Sequence, residues 1–216
     1  MILQSQCLSD PTNEANKPDQ NSILGIIDRV RALQIDTLQM IRRSQYIALW
    51  SRLGDYQPEL LDDLCYGDDR RLFEYWYHAA CMIPIKEFPY RLPTMLMHRK
   101  KESRRWRSWH SDEKNVEVLQ EVKDRLSNQG PQKASNFDDH GEHRGSWWNW
   151  KPAKRALEYL YDSGQVIIAN RLKFQRVYGI TENYIPKKLI KSTITMDHAI
   201  SHDLELSLLA TGLCTP

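Results

Sequence analysis

The sequence predicts a mainly α-helical protein with small β wings, an α+β fold of 216 residues. Three observations predict it. Apolar residues recur at helical spacing over most of the chain. Prolines and glycines stand where several of these patterns begin and end. Two short β-branched runs, QVIIAN and FQRVYGI, follow the last strongly basic helix and are typical of a β-hairpin.

The first half of the chain is predicted to combine helices with one short strand. A helix over residues 23–33 follows a polar loop, and Asn21 or Ser22 suits its N-cap. Apolar and polar side chains then alternate over residues 33–36, which indicates a short strand. A second helical pattern covers residues 37–53. Another helix, an aromatic-rich stretch and a helical basic run complete this half.

The second half shows a recognisable order of elements. A helix ends at Gly130, and a short helix follows it. A third, basic helix has Pro152 in its first turn and Gly164 just beyond its end. The hairpin, connected by residues 171–173, comes last. This is the order of a winged helix-turn-helix, and the first half can follow it too, so we predict tandem winged helix-turn-helix modules.

These patterns divide the chain into three predicted parts. Residues 1–110 form a first winged-helix module, which carries the Gln-Ile-Asp motif at 34–36. Residues 111–190 form a second winged-helix module with the basic helix and the hairpin wing. Residues 191–216 begin an amphipathic helix and stop, so we expect them to be the start of a truncated third module.

Composition narrows the class of protein. No run of about 18 apolar residues occurs, so we expect no membrane span. The four cysteines form no C-x-x-C pair, so neither a zinc site nor a disulfide framework is indicated and a reducing cytoplasm is the simplest location. Net charge is only +2, but residues 98–107 hold six Lys and Arg against one acid. Such a stretch either binds nucleic acid or forms a solvated helix face.

The second module offers candidate DNA contacts. In a winged helix-turn-helix the third helix enters the major groove and the wing lies along the backbone. Basic side chains at these places suit phosphates, which position a protein without reading sequence. Two tryptophans before the helix either anchor it in the core or stack on bases. The DNA-binding candidates are Lys151, Lys154 and Arg155 on the helix, Arg171, Lys173 and Arg176 on the wing, and Trp147 and Trp148.

The Gln34-Ile35-Asp36 motif allows two interpretations. On a helix, positions two apart point about 200° away from each other, whereas on a strand they share a face. Gln34 and Asp36 therefore converge only if the segment is extended. Alternatively, the spacing from Asp36 to Gln39 fits a capping box at a helix start. One carboxylate could serve both purposes, so the residues alone leave both interpretations open.

An exposed carboxylate and amide can act together on a sugar. The carboxylate can stabilise an oxocarbenium-like transition state and deprotonate an attacking water, while the amide holds that water in line. One carboxylate is enough if the leaving base already carries a positive charge, because the base then needs no general acid. Cationic, alkylated purines meet this condition. Hydrolysis by a metal would need more convergent ligands than the sequence shows.

Several stretches together resemble one family, the bacterial winged-helix DNA glycosylases of the AlkZ/YcaQ type, which unhook interstrand crosslinks. They occur in the family's order and cover most of residues 22–186. Gln34-Ile35-Asp36 matches the Asp form of the family motif, which resembles the YcaQ branch. The matching stretches are LQIDTLQ, YIALWSRLGDY, RRLFEYWYHAACMIP and WWNWKPAKRALEYLYDSGQVIIANRLKFQRVYGI.

The resemblance implies a function and a set of roles. Asp36 activates water and stabilises the sugar cation, and Gln34 positions the water. The implied reaction is monofunctional hydrolysis of an alkylated or crosslinked purine in double-stranded DNA, without metal or cofactor, by a monomer at the bacterial nucleoid. Two features depart from the family. Its members are about twice as long, and they often have His where this chain has Gln45.

Two alternatives stay open at this stage. His78, in EYWYHAACMIP, either lines the lesion site or is a hydrogen-bonded structural histidine. The function has an alternative from another class as well, a non-catalytic winged-helix DNA-binding protein or an inactive truncated remnant of the family. Such a protein would bind DNA in a salt-sensitive manner and release no base.

Overall fold

The computed structural model describes residues 2–9, 17–36, 39, 41–100, 102–137 and 152–212. It has a mixed α+β fold with two small antiparallel sheets, which confirms the predicted fold class at that level. The chain forms two compact units. The first unit comprises Met1–Tyr90 and Ile194–Pro216, and the second comprises Arg91–Thr193. The predicted parts 1–110, 111–190 and 191–216 follow a different division and stay a prediction.

The first unit surrounds a three-stranded sheet of order β1-β3-β2, in which both pairs are antiparallel. Its core is formed by apolar residues of α2, α3, α4 and the sheet, including the fully buried Ile23, Ile27 and Leu49. The elements are α1 (Ile2–Ser5), α2 (Gln20–Val30), β1 (Leu33–Gln34), α3 (Ser44–Leu53), α4 (Glu59–Tyr66), β2 (Leu72–Trp76), β3 (Ala80–Pro84) and, near the C-terminus, α10 (Met196–Thr211).

The N-cap of α2 is Asp19, so the prediction of Asn21 or Ser22 is wrong. The Asp19 carboxylate accepts a hydrogen bond of 2.8 Å from the backbone N–H of Ser22, whose hydroxyl in turn accepts from the Asp19 N–H. This reciprocal pair is a capping box. The bond from the Ser22 N–H lowers the pKa of Asp19, because it favours the charged carboxylate.

The helix after the Gln-Ile-Asp motif begins later than predicted. α3 starts at Ser44 with Arg43 as its N-cap, so Asp36 does not cap it. The backbone of residues 33–35 instead forms hydrogen bonds within the sheet. The N–H of Ile35 donates to the carbonyl of Ala80 at 2.8 Å, and Leu33 pairs with Met82. The predicted short strand is confirmed, with β1 occupying Leu33–Gln34.

The second unit packs helices against a sheet of order β4-β6-β5, which is also antiparallel. Trp106 is fully buried, and its indole N–H donates to Asp162 at 2.9 Å. The elements are α6 (Arg104–Arg107), α7 (Glu113–Gln129), β4 (Gln132–Lys133), α8 (Pro152–Asp162), β5 (Val166–Leu172), β6 (Gln175–Ile180) and α9 (Lys187–Ile190), and α5 (Phe88–Arg99) leads into this unit from the first.

The predicted hairpin is confirmed, but its turn lies two residues later. β5 continues through Leu172, and the turn consists of Lys173 and Phe174, with φ of 49° and 67°. Two successive residues with positive φ match the right-handed twist of the flanking strands. The predicted connection over 171–173 is therefore wrong, because two of its three residues belong to β5.

Local signals placed the helix ends of this unit correctly. α7 ends before Gly130, and α8 begins at Pro152. Gly164 follows α8 with a φ of 66°, the left-handed conformation that favours glycine. No helix among residues 2–9, 17–36, 41–100, 102–137 and 152–212 is long and apolar enough to cross a membrane.

Substitution of Gly164 should destabilise the second unit more than substitution of Gly130. Both glycines have positive φ, but a Cβ at Gly164 would clash with the side chain of Met95, whereas one at Gly130 meets nothing within 4 Å. We expect about 1–3 kcal/mol of backbone strain in Gly130→Ala, because only glycine readily adopts a φ of 77° with a ψ of −163°. In Gly164→Ala we expect the clash with Met95 to add about 1–3 kcal/mol to the strain of its positive φ. Urea unfolding of both variants measures this, and equal costs would contradict the packing assigned to Gly164.

Candidate active site

The motif places Gln34 in strand β1 and Asp36 two residues beyond the end of that strand. Leu33 and Ile35 are 3% and 7% exposed, while Gln34 is exposed and Asp36 is half-buried. This alternation is typical of an extended chain whose polar positions lie on the side away from the core. Gln34 lies in a strand and not in a helix, as convergence of the two side chains requires, and the convergence itself stays a prediction.

The turn between β2 and β3 brings His78 to the same place. Its Nε2 lies 3.3 Å from the Oε1 of Gln34. The turn is closed by a hydrogen bond of 3.0 Å from the Tyr77 N–H to the Ala79 carbonyl. Of the candidate residues in the first unit, Gln34 and His78 are thus in direct contact, and both are exposed.

Helix α3 supports β1 from the other side. The hydroxyl of Ser44, the first residue of α3, donates to the backbone carbonyl of Gln34 at 3.1 Å. Gln34 also pairs with Cys81 across the sheet. The backbone of Gln34 is therefore bonded to two elements. Sequence patterns did not indicate either contact, because both join residues that are distant along the chain.

In the second unit the guanidinium groups of three predicted DNA contacts lie over aromatic rings. Arg155 is 5.2 Å from the ring centre of Trp106, Arg176 is 5.3 Å from that of Tyr161, and Arg171 is 4.3 Å from that of Phe174. Cations are attracted to ring faces, so these contacts orient the side chains. The sequence suggested phosphate contacts for these arginines and gave no indication of their rings.

Two of the predicted DNA contacts meet in a groove of about 450 Å³. Lys154 of α8 and Arg176 of β6 line it together with Lys133 and Glu158. Burial raises the pKa of Glu158, and the cations Arg105 and Lys154 oppose that effect. Lys133 was not among the residues predicted from the sequence, and it reaches the groove because β4 pairs with β6.

The other predicted DNA contacts divide into two groups. Lys173 is exposed at the tip of the β5–β6 hairpin, where its charge faces solvent. Lys151, Trp147 and Trp148 lie outside the described residues.

Comparison with known proteins identifies the family. The structure is similar to that of Streptomyces sahachiroi DNA glycosylase AlkZ, with a TM-score of 0.64 and 15% sequence identity, which shows a shared fold. The match covers 99% of this chain and 56% of that one, so this chain spans little more than half of that protein's length. A model of the family described as "DNA glycosylase AlkZ-like" matches residues 27–216. The chain belongs to the AlkZ-like DNA glycosylase family.

Within this AlkZ-like chain, Cys81 faces Gln34 across the sheet but is not a suitable nucleophile. The side chain is 1% exposed, and burial raises the pKa of its thiol to about 11. The thiol is therefore neutral near pH 7, and only the thiolate is strongly nucleophilic. In the part of the chain that the structure describes, no group of three or more His, Cys, Asp or Glu side chains could hold a metal ion.

Cys81 should resist alkylation in the folded protein. With a pKa of about 11 instead of 9.0, its thiolate fraction at pH 8 is lower by a factor on the order of 100, and burial excludes the reagent. We expect iodoacetamide at pH 8 to label Cys81 at least about 100-fold more slowly in buffer than in about 8 M urea. Mass spectrometry of the Cys81 peptide measures both rates, and rapid labelling in buffer would contradict the assigned burial.

Proposed function

We propose that this AlkZ-like chain is a monofunctional DNA repair glycosylase that hydrolyses the N-glycosidic bond of alkylated purines and unhooks interstrand crosslinks. It acts as a monomer on double-stranded DNA in the bacterial cytoplasm, at the nucleoid, and needs neither metal nor cofactor. The observation that supports this best is that Gln34 is exposed and Asp36 half-buried on an extended segment that begins with β1, a strand bonded to both β3 and α3. The Asp form of the motif favours the YcaQ-like branch.

In the proposed reaction the bond between C1′ of the sugar and N9 of the purine breaks. Its electron pair moves to N9 and neutralises the positive charge of the alkylated base, which leaves without a proton from the protein. Water forms the new bond to C1′ and gives a proton to the Asp36 carboxylate. The same carboxylate stabilises the positive charge that develops on the sugar. The products are the free base and an abasic site.

Gln34 positions the water in this scheme. Its amide oxygen accepts hydrogen bonds and carries no charge, so it can hold a water molecule without competing for the proton. The backbone hydrogen bonds of β1 limit the motion of this residue. A fixed water near C1′ lowers the entropic part of the barrier.

DNA binding is assigned to the second unit. We propose that α7, the 3-10 turn at Ala134–Phe137, α8 and the β5–β6 hairpin act as a winged helix-turn-helix, and that the first unit contains a second such module. Lys154, Lys173 and the three ring-bound arginines then contact phosphates, and Lys133 joins them from the groove. Lys151, Trp147 and Trp148 complete the proposed contact set, and His78 lines the lesion site.

Loss of the Asp36 carboxylate should abolish most base release. We expect Asp36→Asn to lower the single-turnover rate on a duplex containing one N7-methylguanine by about 10²–10⁴-fold, and Gln34→Ala by about 10-fold or more. Release of the base is measured by alkaline cleavage of the abasic site.

Two comparisons keep this test specific. Both variants should bind the same duplex with a Kd within about 2-fold of the wild type, because neither residue is assigned to phosphate contacts. Equal rates in all three proteins would reject the assigned roles. DNA binding by the wild type without any base release would identify the chain as a non-catalytic DNA-binding protein or an inactive remnant.

The wing should contribute to the salt dependence of DNA binding. Removing one phosphate contact reduces the slope of log K against log salt concentration by about 1. We therefore expect Lys173→Ala to reduce the slope by about 1. Lys86→Ala is a matched control, because the Lys86 ammonium lies 2.7 Å from the Asp28 carboxylate and is already neutralised. Equal slopes for Lys173→Ala and the wild type would remove Lys173 from the contact set.

A further inference from the structure

We propose that His78 is a positioning residue that acts through Gln34. Its imidazole fixes the Gln34 amide in the orientation that holds the attacking water. The catalytic part of this role rests on the proposed glycosylase function. It gives His78 a defined contact with Gln34 in place of an unspecified position near the lesion. That contact joins Nε2 of His78 to Oε1 of Gln34 at 3.3 Å.

The backbone determines that these two side chains meet. Gln34 pairs with Cys81, and the next residue, Ile35, donates to the Ala80 carbonyl at 2.8 Å. The β2–β3 turn therefore begins directly beside β1. Closure of the turn between Tyr77 and Ala79 then places His78 at its tip, next to Gln34. Strand register thus brings the two residues together, and the Gln34 side chain has to reach only as far as the neighbouring turn.

An exposed glutamine needs such a partner to act on water. Its side chain has several rotatable bonds, and ordering a free side chain of this type costs conformational entropy. Gln34 is exposed, so core packing does not restrict its amide. A histidine has fewer rotatable bonds and stands on a closed turn, which makes it the more rigid of the two side chains. It can therefore hold the amide in one orientation before DNA binds.

The hydrogen-bonding capacity of the two groups is compatible with this role. An amide oxygen has two lone pairs, so it can accept one hydrogen bond from the imidazole N–H and a second from water. The Nε2–H donor is present in one neutral tautomer and in the imidazolium, and in both it requires Oε1 and not Nε2 of Gln34 as its partner. With Nε2 protonated, the contact selects one of the two flipped amide orientations, the one that leaves an oxygen lone pair for water.

A double-mutant cycle tests the catalytic part. We expect His78→Ala to lower the single-turnover rate of base release from an N7-methylguanine duplex by about 10-fold with unchanged Kd, and His78→Gln to recover most of that loss by supplying a donor of similar reach. In a Gln34→Ala background, His78→Ala should change the rate by less than about 2-fold, because its effect passes through Gln34. The same 10-fold loss in both backgrounds would overturn the proposal and assign His78 a direct contact with DNA.

A second measurement is independent of activity. The side-chain NH₂ resonances of Gln34 are identified in a ¹⁵N–¹H spectrum by their loss in Gln34→Ala. They should shift and broaden in His78→Ala, return towards their original positions in His78→Gln, and stay unchanged in His198→Ala, which removes an exposed histidine from α10. Unchanged resonances in His78→Ala would overturn the contact. If the wild type released no base but these shifts occurred, the positioning contact would stand and the proposed glycosylase function alone would fall.

Discussion

The pairing of β1 with β3 is the interaction on which the candidate active site depends. The extended conformation buries Leu33 and Ile35, each worth about 1.5–3 kcal/mol, and pairs the backbone with Ala80 and Met82. A cap at Asp36 would not oppose this pairing, because an N-cap residue is itself extended. The extended chain leaves Gln34 exposed and Asp36 half-buried, whereas positions two apart on a helix would point about 200° away from each other.

The second unit depends on a different interaction, the burial of Trp106. Its indole N–H donates to Asp162. Its ring centre lies 4.9 Å from the guanidinium carbon of Arg105 and 5.2 Å from that of Arg155. Some of the cations that a sequence count assigns to nucleic acid thus also hold α6 and α8 together. Charge alone could not distinguish these two uses, since ring contacts depend on tertiary packing and a guanidinium can bind a ring face while its edge binds a phosphate.

Features set by neighbouring residues could be predicted from the sequence, whereas contacts between residues distant along the chain could not. Pro152, Gly130 and Gly164 act on their own backbone, so the ends of α7 and α8 were placed correctly. The β2–β3 hairpin was missed because four successive residues of β2 are buried, which removes the alternation that reveals a strand. The contact of His78 with Gln34 spans 44 positions and follows only from sheet register. The helix patterns were therefore predictable, and the assembly of the candidate site was not.

The proposed chemistry gives this open arrangement a selectivity that shape alone would not provide. An alkylated purine leaves C1′ as a neutral base, whereas an unmodified purine would leave as an anion and would need a proton at N9 or N7. Cys81 is a poor acid for this purpose, because burial encloses its thiol and raises its pKa to about 11, and Nε2 of His78 contacts the Gln34 amide at 3.3 Å. A site with one carboxylate therefore discriminates against normal bases through the leaving group. By this argument selectivity for a charged leaving base does not require a pocket fitted closely to the lesion.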